Sequence, residues 1–462
     1  MASSLWVIEY NGIRKTAAAW GVNDLTRRRR SLEIDELTFR VPRPDIFEAC
    51  PFVYNQPLKL WRGGVCWFVG KVQVPAATGE AGSESWFITV ANAWLTLQQI
   101  VYRQYRTLKN SDFSGLEARL STQIVLGQDP WGRKRSTDWV IANIANFALT
   151  QAGGAYVVSA IDAGITPPYQ EARDITCAAA ILRQLEWTPD AASYCSYATN
   201  PPALFIRRRG GMGYLALDLD TMGLLGIESL RCRNDLVPNG VVFTFATLET
   251  NALTGAQESR NTEQIAGFSS GPGVIFATFQ LAPGEEIPPG LAAAYYNSLI
   301  TPFWDGSLSF VEGECTGFAQ PGQLLQMVNG NPAWAAMNAI INEVIEDIDK
   351  GMTTINLGVP ATLGANDFRD LMARGRDSEP PTDDVNKNHN GTEGVPEENG
   401  GPGPAPALPG DPSDENGKVP EDARSGNSNA GKISGLIAVS GPAFEAEFCI
   451  DGEAVKKTVV GC

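Results

Sequence analysis

The sequence predicts a mainly β protein with α+β insertions. It comprises two β-barrel or sandwich domains, an α-rich insertion, a disordered acidic linker and a C-terminal β-hairpin. Apolar and polar residues alternate in short runs before residue 93 and again after residue 201, which is typical of half-buried strands. Between these regions apolar residues recur at helical spacing. From 377 to 432 Pro, Gly, Asn and acidic residues dominate, so this stretch lacks the side chains that a core needs.

The first β domain is predicted over residues 1–93, followed by an α-rich, α+β insertion over 94–200. Gly63-Gly64 predicts a hairpin turn between two strands of the first domain. The strands of this domain are expected at 5–10, 37–41, 58–62 and 65–72. Helices of the insertion are expected at 95–102 and 139–149, and after Thr176 with Ala178, Ile181, Leu182 and Leu185 on one face.

The second β domain is predicted over residues 201–330. Its first strands, 204–209 and 214–219, flank Gly210-Gly211-Met212-Gly213. This segment is predicted to be a hairpin turn rather than a phosphate-binding loop, because it lies between strands and does not open a helix. A helix is expected at 291–299. Further strands are expected at 226–231, 240–248, 274–281, 306–311 and 324–328.

A closing helix-strand-helix segment is predicted over residues 331–376. Asn331 should cap the first helix and Gly351 should end it, a strand should follow at 353–357, and Asn366 should cap a short last helix. The buried face of the first helix would carry Met337, Ile340, Ile341, Val344, Ile345 and Ile348.

Residues 377–432 are predicted to be a disordered acidic linker, and 433–462 a β-hairpin with its turn at Asp451-Gly452. Because a two-stranded hairpin is barely stable alone, we expect this one to dock on a partner surface. The candidate docking residues are Phe444, Phe448, Ile450 and Val455.

The chain is acidic, with 36 Lys and Arg against 52 Asp and Glu and a formal net charge of −16. This balance disfavours binding of nucleic acid backbones, although an acidic channel would let DNA slide past. No secretion signal or long apolar run is visible. The eight cysteines lack metal-binding spacing and are expected to be free thiols, with Cys449 and Cys462 the pair to test for a disulfide.

Catalytic motifs are scarce. The single histidine, His389, lies in the predicted linker, which argues against Ser–His–Asp and Cys–His catalysis in the folded body, and no cofactor or metal site is predicted. Paired carboxylates facing a groove are the enzymatic option, as in glycosidases. Solvated acidic residues are the competing interpretation. The candidate pairs are Asp218 with Asp220, Glu312 with Glu314, and Glu346 with Asp349.

The sharpest charge feature is Arg27-Arg28-Arg29-Arg30, which stands between two predicted strands. A hairpin tip could use these arginines to grip an acidic neighbouring subunit. A solvated loop and a DNA contact are the alternatives. We treat Arg27, Arg28, Arg29 and Arg30 as candidate subunit-contact residues.

Several segments resemble late-control-D-like phage tail hub proteins, which cap a tail tube at the tip or baseplate. The resemblance spans residues 1–375 loosely, and its motifs are structural rather than catalytic. The segments that carry it are 35–41 (DELTFRV), 60–72 (LWRGGVCWFVGKV), 174–190 (DITCAAAILRQLEWTPD), 201–209 (PPALFIRRR) and 348–368 (IDKGMTTINLGVPATLGANDF).

Such hubs have two related tube-type β-barrel domains per chain and assemble as trimers. The resemblance therefore implies a structural virion protein rather than an enzyme, assembled in the host cytoplasm and located at the tail tip. The implied partners are two further copies, a distal tail or tube protein ring, a central fibre or spike, the tape measure protein, and DNA that passes without specific binding. A cell-wall or polysaccharide-degrading enzyme and a receptor-binding adhesin are the alternatives.

Overall fold

The structure is a computed structural model, and the described residues form two compact units. These units, residues 1–384 and 385–462, are each considered separately. The described ranges are 6–42, 49–80, 83–109, 116–129, 133–151, 156–162, 165–221, 223–250, 257–281, 287–311, 319–359, 445–450 and 453–458.

Strands dominate the first unit. Its helices are α1 (Trp94–Gln99), α2 (Thr137–Gln151), α3 (Cys177–Leu185), α4 (Leu291–Leu299) and α5 (Pro332–Ala335). Its strands are β1 (Trp6–Tyr10), β2 (Ile13–Thr16), β3 (Asn23–Arg30), β4 (Glu36–Pro42), β5 (Pro57–Arg62), β6 (Val65–Val72), β7 (Ala76–Thr78), β8 (Ser85–Ala91), β9 (Gln104–Lys109), β10 (Leu116–Ser121), β11 (Gln123–Leu126), β12 (Val157–Asp162), β13 (Gln170–Arg173), β14 (Ala192–Ser196), β15 (Ala203–Arg207), β16 (Tyr214–Asp218), β17 (Gly223–Arg233), β18 (Gly240–Thr250), β19 (Gln257–Gly267), β20 (Val274–Gln280), β21 (Phe303–Val311), β22 (Leu324–Val328), β23 (Ala339–Asp347) and β24 (Met352–Leu357).

One sheet of 14 strands contains both predicted β regions. Its main path is β17-β21-β24-β23-β3-β4-β8-β6-β5-β1-β2, with β7 paired to β8, and with β22 pairing both β23 and β16. The antiparallel pair β3–β23 divides this sheet into a first half, β1 to β8, and a second half, β16, β17 and β21 to β24. The prediction of a mainly β fold is confirmed.

Each half encloses its own core. In the first half β1, which lies next to the terminal strand β2, shares one core with the junction strand β3, so this half is curled. Its largest buried members include Trp6, Ile8, Leu25, Phe39, Leu60, Phe68 and Ile88. The second half surrounds a separate core that includes Leu217, Leu308, Phe310, Met327, Val344 and Ile355.

The predicted helix after Asn331 is wrong for most of its length. Helix α5 ends at Ala335, and the residues from Ala339 to Asp347 form β23. A β-bulge between Ile341 and Glu343 shifts the alternation by one residue, so Ile341 and Val344 both face the core. That spacing of three imitates one face of a helix. The strand predicted at 353–357 is confirmed as β24, whereas the helix predicted after residue 366 lies outside the described residues.

The second half of the sheet does not follow the predicted boundary at residue 330. Two of its strands, β23 and β24, come from the segment predicted to close the fold. Strands β18 to β20, predicted to be part of the second barrel, instead form a separate three-stranded sheet that packs with α4. The turn at residues 210–213 also differs from a hairpin, because β15 pairs with β12 and β14 whereas β16 pairs with β22.

The insertion combines three helices with short sheets. Helix α3 begins after Thr176, whose side chain caps it by accepting a hydrogen bond from Ala179 N at 3.2 Å. Helices α1, α2 and α3 share a core with Trp94, Leu97, Ile141, Ile144, Ile181 and Leu185.

In the second unit the predicted C-terminal hairpin is present. It pairs β25 (Glu445–Ile450) antiparallel with β26 (Glu453–Thr458), and the register sets Phe448 opposite Val455. Phe444, Cys462 and the predicted linker over 377–432 lie outside the described residues.

Candidate functional site

The four consecutive arginines lie within β3, at the junction between the two halves of the sheet. They were expected in a loop at a hairpin tip, and the structure corrects this. Strand β3 pairs antiparallel with β23, which sets Glu343 opposite Arg30 and Glu346 opposite Arg27. The feature is therefore a ladder of charged pairs across two strands that are more than 300 residues apart in sequence.

The pleat of the strands sorts these charges onto two faces. Arg27 and Arg29 face one side of the sheet, and Arg28 faces the other together with Arg30. The two glutamates of β23 are three residues apart, an odd spacing that also places them on opposite faces. Each glutamate consequently meets the two arginines that share its face.

The inner group of Arg27, Arg29 and Glu346 is buried and held by several hydrogen bonds. Arg27 donates through Nε and Nη2 to the two carboxylate oxygens of Glu346, the latter contact at 2.7 Å, and through Nη1 to the carbonyl of Trp67 at 2.7 Å. The Arg27 guanidinium also lies 4.4 Å from the centre of the Trp67 ring. Arg29 lies 3.5 Å from Glu346 and donates to the carbonyl of Ala319 at 2.6 Å.

The outer pair is more open. Glu343 accepts hydrogen bonds from the Nε atoms of Arg28 and Arg30, the second at 2.7 Å, and from the amide of Asn356. Arg30 also reaches Glu33 at 3.2 Å. These groups border an open cleft of ≈ 410 Å³, and the side chain of Arg28 is 41% exposed.

Burial and the neighbouring arginines have opposite effects on the pKa values of Glu343 and Glu346. Burial alone would raise the pKa of Glu346, but the positive charges of Arg27 and Arg29 outweigh it and hold that pKa below its ordinary value. Burial likewise opposes the hydrogen bonds that Arg28 and Arg30 donate to Glu343, and the pKa of Glu343 is also lowered. Both carboxylates therefore stay ionised at neutral pH.

A buried aspartate connects the end of β3 to the insertion. Asp35 accepts hydrogen bonds from the Arg30 backbone N–H at 2.9 Å and from the Tyr197 hydroxyl at 2.7 Å. Burial nevertheless raises the pKa of Asp35 to about 6. Beside it, Ser31 Oγ accepts from Ser193 N at 2.9 Å, and Ser193 Oγ accepts from the N–H of the residue after Ser31 at 2.6 Å.

Three of the carboxylates in the predicted pairs, Glu346, Asp349 and Asp218, accept hydrogen bonds within the fold. Glu346, predicted to lie on a solvated helix face, is 1% exposed and bound by arginine, and Asp349 accepts from the N–H of Leu25 at 3.0 Å. Asp218 accepts from the Asn329 amide at 2.7 Å and from the N–H of Asp220 at 3.0 Å. Glu312, Glu314 and His389 lie outside the described residues.

The contacts at the junction hold the two halves of the sheet together. Two buried strands from distant parts of the chain are joined by a backbone ladder and by paired charges. Within the described ranges no cluster of three His, Cys, Asp or Glu residues could hold a metal ion, and no helix is long and apolar enough to cross a membrane. The sequence analysis did not predict the pairing of β3 with β23. The acids of Glu-Val-Ile-Glu at 343–346 could have indicated it, since their charge is opposite to that of the four arginines.

Comparison with solved structures finds phage tail proteins and a component of a type VI secretion system. The 43 kDa tail protein of prophage MuSo2 from Shewanella oneidensis has a TM-score of 0.45 at 13% sequence identity, over 78% of this chain and 99% of that chain. The tail protein from Neisseria meningitidis MC58 has a TM-score of 0.46 at 10% identity, over 76% and 95%.

A third similar structure is the E. coli c3393 protein, described as a component of the type VI secretion system with structural similarity to the T4 bacteriophage tail proteins gp27 and gp5. Its TM-score is 0.42 at 9% identity, over 77% of this chain and 78% of that chain. Neither a protein-family model nor a curated protein sequence matches the chain. Phage tail proteins are thus the structural neighbours that the sequence resemblance predicted.

Proposed function

We propose that this chain is a structural virion protein, a hub at the tip of a phage tail, with no catalytic role. The observation that carries the proposal is the joining of two β halves, each with its own core, in one 14-stranded sheet. Two such regions per chain are what the sequence resemblance to tail hubs implies. The resembling segments at 35–41, 60–72 and 348–357 coincide largely with β4, β5 with β6, and β24 of this sheet.

The junction suits a protein that transmits force between a tube and a spike. Strands β3 and β23 are held by a continuous backbone ladder, and the inner Arg–Glu pair is shielded from water and salt. Such a joint keeps the two halves in one relative orientation. Carboxylates that were candidates for catalysis are instead used in this joint, which supports a structural role over the enzymatic alternative.

We propose that three copies form a ring that joins the tail tube or a distal tail protein ring to a central fibre or spike. Its acidic lumen would pass the DNA without binding it, with the tape measure protein as a further partner. Of the four arginines Arg28 has the most exposed side chain, so a subunit contact through this run would rely mainly on Arg28.

Native mass measurement and electron microscopy test the proposal. Three chains of 49.7 kDa should give a particle of about 149 kDa, three times the chain mass. A gold-labelled antibody against the chain should decorate the tail tip of intact particles. A monomer at micromolar concentration, together with labelling of the capsid or along the tail shaft, would contradict the hub.

A further inference from the structure

The open edge of the first sheet half is unusually basic for this acidic protein. Strands β1, β2 and β5 together carry four cations and one acid, whereas the whole chain has a net charge of −16. The cations are Arg14, Lys15, Lys59 and Arg62, and the acid is Glu9. We call Arg14, Lys15, Lys59 and Arg62 the basic edge.

Each cation of the basic edge is held against a tryptophan ring. Arg14 lies 4.0 Å and Lys59 6.0 Å from the centre of Trp61. Lys15 lies 4.8 Å from Trp20, and Arg62 lies 5.3 Å from Trp67 and 5.4 Å from Trp6. Aromatic contacts of this kind restrict the rotamers of long side chains, so the charges are positioned before any partner arrives.

Strand β2 ends the sheet path and pairs with β1 alone among the described strands. Because Ala17 N donates to Trp6 O, the alternation of the antiparallel ladder directs the backbone N–H and C=O groups of Arg14 and Thr16 away from β1. Open backbone groups at a sheet edge accept an added strand. The adjacent side chain of Ile13, 51% exposed, offers an apolar contact beside them.

We propose that β2 is a docking site for an extended acidic peptide segment of a partner protein, which adds a strand to this edge. Arg14 and Lys15 are adjacent and project to opposite faces, so the added strand needs consecutive acidic residues, one for each face. Glu9 already engages Arg14 at 2.6 Å and Lys59 at 3.7 Å. Lys15 has no carboxylate partner within the part of the chain that the structure describes.

Charge also decides against a second copy of this edge as the occupant. Antiparallel pairing of β2 with β2 about a two-fold axis must align residues whose backbone groups point the same way, so it would set Arg14 opposite Arg14 or Lys15 opposite Lys15. Like charges directly opposite one another destabilise a strand pair. An acidic segment makes the same backbone hydrogen bonds and replaces this repulsion with attraction. The inference is independent of the hub proposed above, since it concerns one edge of one chain.

Fluorescence polarisation on the full chain tests the proposal with a labelled hexapeptide, Val-Thr-Glu-Asp-Thr-Val. We expect binding that weakens with added salt and weakens roughly tenfold in Lys15→Glu, because a repulsive contact replaces an attractive one at an exposed site. The matched control is Arg40→Glu, since Arg40 is 51% exposed but lies on β4, which is paired on both sides. Its affinity should stay within about twofold of the original.

Two further probes distinguish strand addition from general attraction to anions. The same peptide with alternate backbone nitrogens methylated keeps both charges but cannot complete the ladder, so its binding should be lost. A labelled single-stranded DNA oligonucleotide of equal charge should not bind. Equal binding of the methylated peptide or of DNA would overturn the proposal. Absence of peptide binding would overturn it too, and would leave the basic edge as a guard against edge-to-edge aggregation.

Discussion

Replacing Glu346 with alanine should lower the free energy of unfolding by about 3–5 kcal/mol, the usual cost of removing one partner from a buried ion pair. Glu346 is 1% exposed and is the counter-charge of both inner arginines. Without it, the guanidinium groups of Arg27 and Arg29, residues that are 3% and 6% exposed, would face each other uncompensated. Because folded domains are stable by about 5–15 kcal/mol, this is a large share of the total.

Urea unfolding followed by tryptophan fluorescence measures the loss, since Trp67 contacts Arg27 and so reports on the junction. Glu33→Ala is the matched control, because Glu33 also pairs with an arginine of β3 but its side chain is 48% exposed. It should cost about 0–1 kcal/mol. The triple variant Arg27→Met, Arg29→Met, Glu346→Leu should recover most of the loss, since it removes the whole buried group. A loss in Glu346→Ala no larger than in Glu33→Ala would refute the reasoning.

Three other perturbations have defined outcomes. Folding raises the pKa of Asp35 from 3.8 to about 6, so the free energy of unfolding should fall by up to about 3 kcal/mol between pH 4 and pH 7. Urea unfolding at each pH measures this fall, which should vanish in Asp35→Asn. Gly70→Ala should lower the free energy of unfolding by about 1–3 kcal/mol in the same assay, because a Cβ there would lie 2.5 Å from the carbonyl oxygen of Ala91. Gly226→Ala is the control and should be nearly neutral, since a Cβ at that position has no atom within 4 Å. In the native assembly, limited proteolysis should cut residues 377–432 faster than the hairpin at 433–462, and equal rates would contradict docking of the hairpin.

Elements with strong local signals were predictable from the sequence. The hairpin of β5 and β6 follows from the two apolar-rich strand patterns on either side of Gly63 and Gly64, which have φ of 54° and 83°. Helix α3 follows from its capping threonine and one apolar face. In both cases the residues that decide the structure lie within a few positions of each other, so no distant partner is needed to interpret them.

The junction was not predictable in this way, because its determinants are far apart in the sequence. A run of four arginines has no local reason to form a buried strand, and it becomes one when two glutamates 313 to 319 positions away neutralise it. The acids of β23 were equally ambiguous. Their strand contains a bulge, so the apolar spacing indicated a helix whose polar face would hold Glu346 in solvent.

The charge pattern of the junction also specifies the register in which the two halves join. A slip of β23 by one residue relative to β3 would turn Glu346 to the outer face and Glu343 to the inner face, and would exchange their apolar neighbours with them. Val344, now 0% exposed, would leave the core of the second half. A slip by two residues would keep the faces but move each carboxylate away from the arginine directly opposite it. A run of arginines facing a strand without these acids would tolerate either shift. Because the two glutamates are three residues apart, both lie opposite an arginine in only one alignment. The glutamates therefore select the alignment that keeps both cores closed.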